Sequence, residues 1–460
     1  MGQAGLRRVT EANNGGITIR QAEISGAGSL WKSKRIYIAV FLFFNLFINY
    51  MDRTSMSVAA PVIAKQFHWN SATVGIVLSS FMWTYAVCLI PWGWLSDRVG
   101  TRKVNGLSVS LWSCAAMLTG AAVGLGSMLA AMLLLGVGEA ASLPTAGKVV
   151  RQWFPPQERG LATAIFNAGT FAGPAVSAPI VAWLVLKIGW RLSFVVTGAT
   201  GLIWVFLWIA MFRLPRECSW LPEREREYVL AETDGSEAIS PAKNHLSQLL
   251  SRKTMWGLLL TQGCCAYSNV FFLAWLPSYL VQSRHMHLMK AGWFVSIPYL
   301  AAAVLGILIG KLSDTLLTRE AVKEGKRRTI LIFFILLSSS VFLINVVNNE
   351  YLALLLIAFS LVCISSALTL NIALTNDLVW RQNAVGTALG ILIMGGITFG
   401  MLAPIVTGYI VKETGSFDNA FYVAGTLLLL GAMISGAMTR RPLSLDAEVG
   451  STCVEVPATG

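Results

Sequence analysis

Gly93-Trp94-Leu95-Ser96-Asp97-Arg98-Val99-Gly100-Thr101-Arg102-Lys103 is the stretch that decides the fold, because its first half returns as Gly310-Lys311-Leu312-Ser313-Asp314. Each copy follows the second apolar run of a block of six, and each is followed by bases, Lys326-Arg327-Arg328 on the second occasion. The same element at matching places in two halves indicates an internal repeat, the architecture of a transporter whose halves rock against one another.

Outward from these loops, the apolar runs lie at about 36–60, 71–95, 104–125, 127–150, 160–186 and 192–213, then at 254–281, 290–313, 329–348, 351–376, 384–411 and 417–439. Runs of about 20 residues cross a hydrocarbon core of about 30 Å. They are continuous rather than alternating, which excludes a transmembrane β-barrel. The expected fold is therefore an all-α membrane protein of twelve transmembrane helices in two pseudo-symmetric six-helix halves. The halves are residues 36–213 and 254–440, with a tail at 1–35, a linker at 214–253 and a second tail at 441–460.

Composition agrees with this reading. The chain is 55% hydrophobic and 13% charged, with a mean hydropathy of +0.63, whereas a soluble domain carries about 25% charged residues. Of the 35 Lys and Arg, Arg53 and Lys148 lie within spans and six fall on the side opposite the termini, leaving 27 on the side of the termini. Such an asymmetry places both termini in the cytoplasm and accounts for the net charge of +12 without a nucleic-acid partner.

The first 35 residues are polar and basic and precede a full-length apolar run, so that run is expected to stay as an anchor rather than be cleaved. The linker carries seven basic and seven acidic residues between Arg213 and Lys253 and is expected to be solvated. The seven cysteines lack CxxC spacing, and the four histidines lie in loops or at span ends. With no Walker loop or dinucleotide fingerprint either, an enzyme, a metal site and a bound cofactor are not expected.

Further motifs narrow the class. They are Asn49-Tyr50-Met51-Asp52-Arg53, Phe81-x-x-Thr84-Tyr85, Gly136-x-Gly138-Glu139-Ala140 with Pro144, Trp153-Phe154-Pro155 with Glu158-Arg159-Gly160, and Gly189-Trp190-Arg191. With these and the 93–103 loop, residues 36–440 resemble the major facilitator superfamily. More narrowly, they resemble its anion:cation symporter family, which includes bacterial hexonate and hexarate permeases and vesicular glutamate and sialic acid carriers. The resemblance implies uptake of a small organic anion with protons as the coupling ion, through a site between the halves reached alternately from each side. It implies a multi-pass protein of the bacterial inner membrane, with the lipid bilayer and the substrate as partners; the chain is expected to work as a monomer.

Charge inside a span costs at least about 2.5–3.5 kcal/mol, so Asp52 and Arg53 must face the bundle interior or a wet cavity. Adjacent helix positions point about 100° apart, so each is expected to meet a different partner. Arg53 offers a two-pronged donor for a carboxylate, and Asp52 a carboxyl whose proton affinity responds to water access. A structural ion pair across helices is the alternative.

Glu139 sits among Gly136, Gly138, Ala140, Ala141 and Ser142. Small neighbours let helices crowd a carboxylate and exclude water, which suits a second proton-coupling group. The family resemblance puts an arginine seven residues earlier, where this chain has Met132. Glu139 therefore lacks its expected partner, and Lys148, on the opposite face, is no replacement.

Candidate substrate ligands are Tyr85, Asn49, Asn167, Tyr267, Asn269, Ser366 and Asn376, beside Arg53, although hydroxyls and amides also serve as ordinary interhelical glue. Asn45, Asn49 and Asp52 form a polar stripe on span 1. Asp97, Arg98, Arg102, Lys103 and Asp314 are read by resemblance as gate contacts, or as topology-setting charge alone.

Span 11 reads Gly390-Ile-Leu-Ile393-Met-Gly-Gly-Ile397, without the asparagines that sugar-acid members of the family place there. The wall it forms suits a less hydroxylated or an aromatic acid, and it leaves open a proton-coupled exporter of amphipathic or aromatic compounds. A non-transporting sensor is expected to carry a signalling extension, which the short termini do not supply.

Overall fold

A computed structural model describes residues 33–233, 245–316, 326–379 and 382–440. These residues are helical almost throughout, as apolar spans with no water to satisfy their backbone must be. The elements in chain order are α1 Ile36–Phe67, α2 Ser71–Val99, α3 Thr101–Gly120, α4 Leu125–Glu139, α5 Ser142–Trp153 and α6 Arg159–Met211. The linker carries α7 Glu223–Thr233 and α8 His245–Leu250. Then come α9 Lys253–Gln282, α10 Leu288–Leu316, α11 Arg327–Ser338, α12 Glu350–Leu378, α13 Gln382–Thr414 and α14 Asp418–Met438.

Among the described residues, ten helices are long and apolar enough to cross a membrane, α4 and α5 counting as one. The expectation was twelve. α6 runs for 53 residues, about 80 Å at 1.5 Å per residue, and breaks at Gly189 (φ 81°, ψ 160°), so it has the length of two spans. α3 has 20 residues but is polar for its length, with Asn105, Ser108, Ser113 and Thr119 all buried.

Local chemistry fixes the breaks. Asn70 caps α2, its side chain accepting from Thr73 N at 2.9 Å, and Asn349 caps α12 on Tyr351 N and Leu352 N. The expected span at 127–150 divides after Glu139, because Pro144 has no N–H for the carbonyl of Ala140 and its ring crowds that carbonyl. A tight turn closed by Ala141 N on Gly138 O at 3.4 Å bridges the gap.

In the first half α1 and α3 pack on α6, and α4 packs on α2 and α3; in the second, α13 and α14 pack on α9, and α12 on α10 and α11. The halves meet as α1 on α9, α2 on α13 and α6 on α10. Ser57 Oγ donates to Ala274 O at 2.8 Å and Ser79 Oγ to Met401 O at 2.6 Å, while Ser296 Oγ donates to Ala175 O. These contacts lie toward the end of the bundle away from the termini. The approach is closest at Gly75, where a Cβ would stand 2.3 Å from Pro404 O, so only glycine admits the partner backbone.

Glu217, Glu223, Arg224 and Glu227 of the linker are exposed, as expected of a solvated segment, but its first residues also dock on the first half. Trp220 stacks on Trp153 (5.6 Å, 14°), and Cys218 and Leu221 are buried. Arg35, fully buried, reaches Glu158 at 2.7 Å and Glu225 at 3.5 Å. Lys34 N also donates to Glu225 at 3.2 Å. The beginning of the linker is thus clasped to the first half.

Candidate functional site

Arg53 lies just past the midpoint of α1, at the level where the halves meet. Its Nε donates to Glu139 Oε2 at 2.9 Å, and its Nη2 stands 2.8 Å from the same oxygen. The Glu139 side chain is fully buried and that of Arg53 only 12% exposed. The expectation that Glu139 lacks a partner is corrected: Arg53 supplies the cation that Met132 cannot, and Met132 is itself core, 2% exposed. Glu139 is the last residue of α4, and Gly136 one turn earlier seats α4 against α2, since a Cβ there would meet Phe81 O at 1.9 Å.

Three rings surround the guanidinium: Tyr50 at 4.7 Å, Phe81 at 4.9 Å and Tyr85 at 5.3 Å to the centroids. Cation–π attraction is strongest where water is excluded, so the rings hold the charge in place and strip its solvent. Tyr50 and Phe81 were missed in the sequence, although the signal was there: Tyr50 is three residues before Arg53, and Phe81 and Tyr85 are one turn apart on α2.

The different-partner expectation holds for Arg53 but leaves Asp52 alone. Asp52 is 3% exposed, and neither carboxylate oxygen has a hydrogen-bond partner. Glu139 is its charged neighbour, and Asn49 faces the Glu139 carboxylate.

The guanidinium opens on a cavity of about 30 Å³ between the halves, lined by Arg53, Leu78, Phe81 and Met82 on one side and Val270, Leu273 and Ala274 on the other. Apart from Arg53 its wall is apolar. Further along the second half, Tyr267 is buried facing Thr407, and Gln262 Oε1 accepts from Asn371 Nδ2 at 2.9 Å.

The other candidates divide. Asn49, Tyr85 and Tyr267 are buried at this level, and Asn269 is partly buried with an unpaired Oδ1. Ser366 Oγ is bonded within its own helix, to Val362 O at 2.8 Å. Asn167 and Asn376 are exposed and stand away from Arg53 along their helices.

At the end near the termini, Asp97 pairs with Lys148 at 2.9 Å, and the same Nζ donates to Ser96 O at 2.8 Å. The residue dismissed as a partner for Glu139 thus serves Asp97. Arg98 lies 4.0 Å over the Trp94 ring, Arg102 Nη2 donates to Ile209 O at 2.5 Å, and Lys103 is exposed. Those contacts stay within the first half. Asp314 lies in α10, but its side chain falls outside the described residues.

Against known proteins, the family described as the Major Facilitator Superfamily matches residues 42–323 and 321–450. The chain belongs to the major facilitator superfamily. Within this superfamily it is similar to the probable galactarate/D-glucarate transporter GudP of Escherichia coli (strain K12), 32% identical over 415 residues, covering 87% of this chain and 92% of that one. It is also 31% identical to a D-galactonate transporter of Escherichia coli O6:H1 over 409 residues, 87% and 94% of the two chains. The probable sulfoacetate transporter SauU of Cupriavidus necator is 32% identical over 401 residues, 85% and 90%. Among solved structures, a bacterial homolog of the human lysosomal transporter Spinster, inward-facing and occupied, superposes with a TM-score of 0.69 at 18% identity, covering 90% of this chain and 98% of that one. This superfamily protein is accordingly a multi-pass transporter and not an enzyme.

Proposed function

We propose that this transporter takes up a small organic anion together with protons, by alternating access, from a bacterial inner membrane in which both termini are cytoplasmic. The observation that carries the reading is the Arg53–Glu139 pair at the seam of the halves, boxed by aromatic rings, with the unpaired Asp52 carboxyl next to it. A substrate carboxylate competes with Glu139 for the same guanidinium. A proton on Glu139 frees Arg53 for that carboxylate, and loss of the proton returns Arg53 to Glu139 and expels the anion, which links the two fluxes. The contacts away from the termini correspond, in this orientation, to the inward-facing state, from which release occurs.

The relatives named for galactarate, D-glucarate, D-galactonate and sulfoacetate support an acid as substrate. The apolar wall of Leu78, Met82, Val270 and Leu273 favours a compact acid with few hydroxyls. The same wall favours the second reading, proton-driven export of amphipathic or aromatic compounds. Gating by Asp97, Arg98, Arg102, Lys103 and Asp314 belongs to the proposal as well.

A thermal-shift panel of D-glucarate, galactarate, D-galactonate, sulfoacetate and aromatic acids identifies the ligand, and proteoliposome uptake under an imposed pH gradient tests the coupling. Asp52→Asn and Glu139→Gln should both abolish accumulation. Full proton-driven accumulation by both variants would overturn the reading, and counterflow of aromatic compounds alone would favour export.

A further inference from the structure

Apart from Asn49, itself a candidate substrate ligand, the buried polar groups behind Asp52 belong to no substrate contact described above. Asn45, Asn49 and Asp52 stand at i, i+4 and i+7 on α1, one face of the helix, and are 2%, 1% and 3% exposed. Asn45 Nδ2 donates to Asn105 Oδ1 of α3 at 3.0 Å. One turn before Asn105 is Thr101, at the first residue of α3, whose hydroxyl donates to Gln152 Oε1 of α5 at 3.1 Å. Gln152 is partly exposed at the end of the bundle nearest the termini. A chain of polar side chains thus runs from the midplane to the rim through α1, α3 and α5, entirely inside the first half. Arg53, about 100° around α1, faces the cavity between the halves instead.

The chain is under-satisfied. Both Asp52 oxygens, Asn45 Oδ1, Asn105 Nδ2 and Glu139 Oε1 are buried without partners. Buried polar atoms are almost always bonded to protein or to ordered water, and a buried water needs two to four polar partners, a role open to these unpartnered atoms. Amide side chains do not themselves relay protons, whereas water held between them does. The charged groups at the two ends are Glu139 and Arg53 beside Asp52, and Arg102 and Lys148 at the rim.

We infer that Asn49, Asn45, Asn105, Thr101 and Gln152 hold a file of water that carries the Asp52 proton to the side of the termini, by a route separate from the substrate cavity. This rests on the proton-coupled reading above. The anion leaves between the halves and the proton leaves through one of them, so the two need not pass each other in a narrow site.

The test uses proteoliposomes loaded with a pH dye and the acid of the panel above that the wild type accumulates best. Asn105→Leu should slow substrate-driven proton entry about tenfold, a barrier increase of about 1.4 kcal/mol, while counterflow at equal pH, which needs no net proton movement, keeps its half-saturation. Asn105→Ser, which leaves room for water, should restore the rate. Gln152→Leu, at the partly exposed rim, should slow proton entry in the same sense even if Asn105→Leu does not fold. Wild-type proton entry in a folded Asn105→Leu, or in Gln152→Leu, overturns the water file while leaving the coupled reading intact. Equal loss of counterflow and proton entry in folded Asn105→Leu also overturns it. A wild type that accumulates the acid without moving protons defeats the coupled reading itself.

Discussion

The two halves of this transporter share a plan but not a chemistry. The first half buries Asp52 and Glu139 and holds Arg53 against Glu139. At the same depth the second half presents Val270, Leu273 and Ala274 to the seam, with neutral Tyr267, Thr407, Gln262 and Asn371 behind. Its one ion pair with a buried arginine among the described residues, Arg327 with Asp377 at 2.7 Å, lies at the end of the bundle. Symmetry of the backbone thus permits a division of labour. Under the proposed function the first half binds charge and protons, while the second is a neutral wall that rocks over the occupied site and judges the rest of the substrate by shape.

The largest effect expected from that division is at Arg53. Arg53→Ala leaves Glu139 buried without its cation, a loss of about 3–5 kcal/mol, and should lower the melting temperature by several degrees and abolish counterflow. Arg53→Lys should keep the charge but lose the forked geometry, recovering stability more than transport. A wild-type melting temperature and counterflow in Arg53→Ala would erase the contrast between the halves.

Next comes the seam. Gly75→Leu forces atoms into Pro404 O and should oppose closure of that end by about 1–3 kcal/mol, the usual cost of overpacking. Labelling of a cysteine placed at position 78 by a water-soluble thiol reagent, in a cysteine-free background, should then quicken severalfold from the side away from the termini. Unchanged labelling would mean that the seam does not close by this contact.

A smaller effect is expected at the linker clasp. Glu225→Ala removes an acceptor of Lys34 N and a partner of Arg35, worth about 1 kcal/mol, and should speed proteolysis within α7. Burial, outweighing the Arg35 cation, holds the Glu158 carboxyl above the ordinary carboxylate range. A carboxyl that titrates higher folded than unfolded contributes stability fully present below its unfolded value, about 4.3, and lost as pH rises through the folded one. The clasp should therefore be more protease-resistant at acid pH than at neutral pH. Retention of that dependence by Glu158→Gln would assign it to another group.

The smallest effect is expected in the second half. Tyr267→Phe removes one neutral hydroxyl, and interhelical hydrogen bonds in membranes average about 0.6 kcal/mol, so half-saturation for the transported acid should move less than about threefold. A loss comparable to Arg53→Ala would place a binding charge or its equivalent in the second half after all.

Much of this was legible in the residues, for identifiable reasons. Asp52, Arg53 and Glu139 stand out because charge in an apolar run is costly, and the Gly-x-Leu-Ser-Asp repeat divides the chain in two. Helix periodicity even sets Asn45, Asn49 and Asp52 on one face. What could not be read was who meets whom. Glu139 was left without a partner and Lys148 without a role, yet Arg53 and Asp97 take them, because both pairs join residues from different helices. The linker's balanced charges suggested solvent, which Glu217, Glu223, Arg224 and Glu227 meet, and only the docking of Trp220 on Trp153 and of Glu225 on Arg35 shows the part that is held.

Hydropathy and motif spacing determined by themselves that this is a two-half helical transporter with charge in its first half, since lipid tests each segment by its own composition. Packing alone decided that Glu139 answers Arg53, that Asp52 stands unpaired beside them, and that amides on α1 and α3 join in one chain. Helices fixed by lipid remain free to choose their rotation and neighbours until small residues such as Gly75 and Gly136 let particular backbones meet.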